Sequence, residues 1–138
     1  METQARRLGR EHLYLPGSFD YDEIEQQMRQ LTTALGLPEL SRETLDAERS
    51  ACEAALAKAK KLIGDMPVTL DYLYHPRPLG LAKLLLMHGF KVKAVYLDGI
   101  SPEEKETFDW MREHAPELEL IAHEKEDVDK LIACIKTL

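Results

Sequence analysis

The chain has 138 residues, 44% hydrophobic and 31% charged, the balance of one globular domain able to bury a core without cross-links. A formal net charge of −7 argues against the basic stripe of a nucleic-acid binder, and no apolar run approaches the roughly 20 residues of a membrane span. The amino-terminal METQARRLGREHL has charge but no apolar signal core. Cys52 and Cys134 share no motif spacing and fall in predicted helices, so buried free thiols in a cytoplasmic protein are expected.

The acid excess is concentrated in residues 101–129, which hold eleven acids and three bases, as on a solvated helix surface. Residues 1–19 form an entry segment in which Arg6, Arg7 and Arg10 lead to an extended piece and a turn at Pro16-Gly17. A first helix follows. Asp20 is placed to cap it, Glu23 to complete a capping box, and Phe19 to staple against Ile24. Ile24, Met28, Leu31 and Leu35 make one apolar stripe, and Gly36 and Pro38 end it. Ser41 caps a longer helix reaching about Ile63, with Leu45, Cys52, Leu56, Ala59, Leu62 and Ile63 as its apolar line.

Residues 67–89 are the organising stretch. Val68, Leu70, Tyr72 and Tyr74 alternate with Thr69, Asp71 and Leu73, which predicts a strand. The pattern breaks at His75-Pro76-Arg77-Pro78 and resumes as a strongly apolar helix stopping at Gly89, with Pro78 suited to its first position. A helix this apolar requires cover on more than one side. Residues 91–98 predict a second strand that turns at Asp98-Gly99. Ser101, Pro102 and Glu104 start a helix carrying Phe108, Met111 and Ala115, which Pro116 ends. Residues 117–123 predict a third strand. Residues 125–138 predict a last helix with Val128, Leu131, Ile132, Ile135 and Leu138 inward.

The expected fold is α/β: a three-layer Rossmann-like domain over residues 20–138, with three βα units preceded by two helices. Such alternation gives a parallel sheet with right-handed crossovers and helices on both faces, here in the half-Rossmann order 3-2-1. Ligands of these folds sit beyond the carboxyl ends of the strands, which directs attention to the loop 74–81. That loop lacks the glycines of a dinucleotide site, so Asp98 reads as a turn residue before Gly99 and not as a ribose ligand. Histidines 12, 75, 88, 114 and 123 are scattered without CxxC or HxxxH spacing, so no metal site is expected, and no nucleophile elbow occurs. His88 and His114 sit near helix carboxyl ends, where an imidazolium is favoured. Tyr74, His75 and Arg77 remain as candidate binding residues beside a helix amino terminus that favours anions. The alternative is a proline-stiffened connection whose arginine meets a surface carboxylate. No catalytic residue is identified.

The order of these landmarks, over roughly residues 13–123, resembles the nitrogenase component 1 type oxidoreductases. That family includes catalytic nitrogenase subunits, cofactor-assembly scaffolds and protochlorophyllide reductase relatives. The resemblance lies in DYDEIEQQMRQLTTALGLP, in ETLDAERSACEAALAKAKKLIGD leading into a strand, and in PLGLAKLLLMHGFKVKAVYLD. It implies one domain of a larger subunit, inactive alone, forming one wall of a metallocluster or tetrapyrrole site. Its partners would be the other domains of that subunit, a homologous subunit and an ATP-dependent iron–sulfur reductase, with neither nucleic acid nor membrane. An iron–sulfur cofactor would belong to the full-length parent and not to this domain. The arginine that looks equivalent to the family's cofactor-contacting one is Arg77, twelve residues before Gly89, although Tyr74-His75-Pro76 replaces the family's loop glycines. A non-enzymatic module binding a small anion, a ligand or a partner is the alternative.

Overall fold

The computed structural model describes residues 12–122, so the expected last helix, Cys134 and most of the entry segment lie outside the described residues. Helices α1 (Tyr21–Ala34) and α2 (Arg42–Ile63) precede β1 (Val68–Asp71), α3 (Pro78–Met87) and β2 (Val92–Leu97). A 3-10 turn (Pro102–Glu104), α4 (Lys105–His114) and β3 (Glu119–Ala122) follow. The chain divides into two compact units, one ending at Ser50 and one beginning at Ala51.

In the first unit, Asp20 caps α1 as its sequence position requires, accepting from the amides of Asp22 at 2.9 Å and Glu23 at 3.2 Å. The Glu23 carboxylate does not close a capping box on Asp20. It accepts from the Ser18 hydroxyl at 2.5 Å instead. Ser41 Oγ accepts from the Thr44 amide at 3.1 Å and so caps α2. Glu25 on α1 accepts from Arg42 on α2 at 2.8 Å and from Arg29 at 2.6 Å. Neither α1 nor α2 buries a residue.

The second unit contains a three-stranded parallel sheet in the order β1-β2-β3, the neighbour order expected from the sequence. Val68 pairs with Val92 but Thr69 with Ala94, so Lys93 is an extra residue in β2. That slip breaks strict alternation and lets Val92, Val95 and Leu97 all enter the core. Leu79 and Ala82 of α3 and Met111 of α4 pack with them. The two crossover helices touch each other and share this core. Two right-handed crossovers stepping the same way along a sheet place both helices on one face. Thr69, Asp71 and Tyr96 stay exposed, so the second helical layer expected from the sequence is not supplied by α3 or α4. Trp110, partly buried against this core, stacks on His114 at 4.6 Å and lies 5.6 Å from Lys83 Nζ.

Helix α3 is covered around most of its circumference: Pro78, Leu79 and Ala82 are buried, the residues from Gly80 to Leu86 are otherwise partly buried, and Met87 is exposed. It ends in two reversed hydrogen bonds, Phe90 N–H to the Leu85 carbonyl and Gly89 N–H to the Leu86 carbonyl, both 3.0 Å. This closure needs a left-handed residue, and Gly89 supplies it with φ of 75°. Cys52 is exposed, which corrects the expectation of a buried thiol, because α2 has no buried side among the described residues.

Candidate functional site

Parallel pairing brings the ends of β1 and β2 to one edge of the sheet, with Asp71 opposite Tyr96. The first difference from the sequence expectation lies here. The alternating pattern suggests a strand through Tyr74, but β1 stops at Asp71. Asp71 Oδ1 accepts from the Leu73 amide at 2.8 Å, and its carbonyl accepts from the Tyr74 amide at 3.0 Å. This local capture by an aspartate folds the following residues into a turn despite their strand propensity. The last ladder contact is the Tyr72 amide donating to the Tyr96 carbonyl at 3.2 Å.

Tyr74, His75 and Arg77 lie in this turn and the connection to α3, in different environments. Leu73 and Tyr74 are 80% and 86% exposed. His75 and Arg77 are half-buried, and Pro78 and Leu79 anchor the loop into the core. His75 Nδ1 accepts from the Arg77 amide at 3.0 Å. A nitrogen that accepts carries no proton, so Nε2 is the ring's donor. No side chain caps α3 at Arg77, in contrast to Asp20 at α1. On the neighbouring strand, Asp98 and Gly99 are exposed at the same edge.

One residue at this edge has a character its helix-start pattern hides. Glu104 reads as a helix-start acid, and its Oε2 does accept from Ser101 Oγ at 3.2 Å. It is also only 3% exposed, and its Oε1 has no hydrogen-bond partner among the described residues. Its spacing ahead of Phe108, Met111 and Ala115 places it on the side of α4 that is buried, unlike the exposed Glu103 beside it.

Cluster ligation takes thiolates or several imidazoles. The edge offers one imidazole, already engaged at Nδ1, and no three histidine, cysteine, aspartate or glutamate side chains converge among the described residues. A metallocluster therefore does not fit this edge as a group it could ligate. Among the described residues, no helix is long and apolar enough to cross a membrane. Comparison with models of protein families, with curated proteins and with solved structures returned no match.

Proposed function

We propose that the turn after β1 is one wall of a ligand site completed by another domain or subunit, and that this chain is not catalytic alone. The observation that carries the reading is the presentation of Leu73 and Tyr74 to solvent on a turn pinned by Asp71. Burying a leucine-sized side chain contributes about 1.5–3 kcal/mol, and Leu73 forgoes it in the isolated chain. A second surface laid over the edge would recover that energy and enclose the half-buried His75 and Arg77. The parallel strand order and the crossover helices support a Rossmann-like domain for this role. The resemblance to nitrogenase component 1 type oxidoreductases supplies the specific form. In it the chain is one domain of a reductase subunit or assembly scaffold, and Arg77 contacts a cofactor held elsewhere in the subunit.

The test is iron content and visible absorption of the protein purified anaerobically from its source. The reductase form expects a coloured assembly in which Arg77→Ala lowers cofactor occupancy severalfold at unchanged melting temperature. A colourless, iron-free protein that takes up no tetrapyrrole overturns that form.

A second reading rests on a different observation. The first turn of α3 has no side-chain cap and has Arg77 at its entrance, the setting of a small-anion or interaction module. Inorganic phosphate would then shift the amide resonances of residues 77–81 in the colourless protein, and would leave them unmoved in the reductase form.

A further inference from the structure

The far end of α3 carries a histidine wired in the opposite sense to His75. His88 Nδ1 lies 2.7 Å from the Leu84 carbonyl, and its Nε2 lies 2.9 Å from Glu53 Oε2 on α2. Neither a carbonyl nor a carboxylate can donate, so both contacts are favourable only when both ring nitrogens carry protons. His114 makes the same backward contact, Nδ1 to the Trp110 carbonyl at 2.9 Å, but it is exposed and stacks on Trp110. His88 pairs instead with a carboxylate of a second helix.

We propose that His88 and Glu53 form a pH-sensitive latch: the doubly protonated ring fastens the part of α2 beyond Ser50 to the last turn of α3, and loss of a ring proton releases it. When one proton leaves, one of the two contacts becomes repulsive. The Leu84 contact is held in place by the helix that contains both residues. Glu53 belongs to another helix, so it is the partner that parts.

Glu53, Lys60 and Lys61 of α2 line the hollow of about 360 Å³ into which His88 faces, with Leu56 and Ala57 between them. Lys60 Nζ is engaged by the Gly64 carbonyl at 2.6 Å and by Asp65 at 3.2 Å, which limits its opposition to the imidazolium. The Leu84 carbonyl is the main influence raising the His88 pKa above its ordinary value; burial opposes it, and Glu53 adds to the rise. The sign follows. The latch is fully closed below the unfolded imidazole pKa of about 6.5 and is lost as pH rises through the higher folded value.

The experiment follows the imidazole resonances of His88 by NMR across pH, together with amide exchange protection of residues 51–63. The expected His88 midpoint lies above about 6.5, and Glu53→Gln lowers it. Protection over residues 51–63 falls severalfold as pH passes that midpoint in the native chain and stays flat in Glu53→Gln. Glu53 is half-exposed, so the amide variant keeps the fold. A midpoint at or below about 6.5, a midpoint unmoved by Glu53→Gln, or protection indifferent to the midpoint would each overturn the latch.

Discussion

Helices α1 and α3 both carry apolar residues at helical spacing, yet only α3 buries any. Leu79 and Ala82 of α3 are fully enclosed between the sheet and α4, whereas Ile24, Met28 and Leu31 of α1 are half-buried and Leu35 is 61% exposed. The α3 unit is held by a contiguous buried core, and the α1 unit by a cap, charged pairs and a partly buried apolar stripe. An apolar stripe states which side of a helix is available for burial; it does not supply the surface that buries it. The two regions should accordingly differ in how they open.

The largest effect tests the core directly. Leu79→Ala removes a side chain with no solvent exposure and should cost about 2–5 kcal/mol of unfolding free energy. Leu31→Ala in α1 should cost less, because its side chain is only partly buried. Chemical denaturation of the two variants decides the matter. Equal losses would show that α1 shares a core after all.

The next effect separates a cap from a core. Asp20→Ala leaves the amides of Asp22 and Glu23 without their acceptor and should cost about 1 kcal/mol. The loss should be confined to residues 20–50, read as faster amide exchange there with unchanged protection over 68–122. Faster exchange across the sheet as well would merge the two regions into one cooperative unit.

The same contrast explains what the sequence made legible. Ser41 and Gly64 bracket α2 because a cap acceptor and a left-handed glycine act within one turn of chain. The parallel sheet followed from alternation of strands and helices, and grouping Tyr74, His75 and Arg77 needed only one loop. Longer-range facts were not legible. The end of β1 depends on Asp71 reaching the Leu73 amide, which competes with residues that would otherwise extend the strand. Glu53 and His88 stand 35 residues apart, and no local spacing joins them. The burial of Glu104 comes from tertiary packing and shows in its spacing ahead of Phe108, Met111 and Ala115, not in its helix-start pattern.

The smallest effect concerns the charges that join α1 to α2. Glu25 accepts from Arg29 and from Arg42, and Arg42 also lies 3.1 Å from Asp46. The hydrogen bond to Glu25, then the field of Asp46, raise the Arg42 pKa still further, so the guanidinium keeps its charge at any neutral pH. These pairs should therefore respond to salt and not to pH. Screening acts over about 10 Å at 0.1 M ionic strength, and Arg42 is mostly exposed, so added salt should weaken the pairing. Amide exchange in residues 20–50 should quicken slightly with salt in the native chain. Glu25→Gln should reduce that dependence to what the pair of Asp22 and Arg49 retains, while changing the baseline less than Asp20→Ala does. If Glu25→Gln keeps the full salt response, the Glu25 network does not hold α1 to α2, which leaves Arg49 with Asp22 and Tyr21 and the half-buried stripe of Ile24, Met28 and Leu31 to do so.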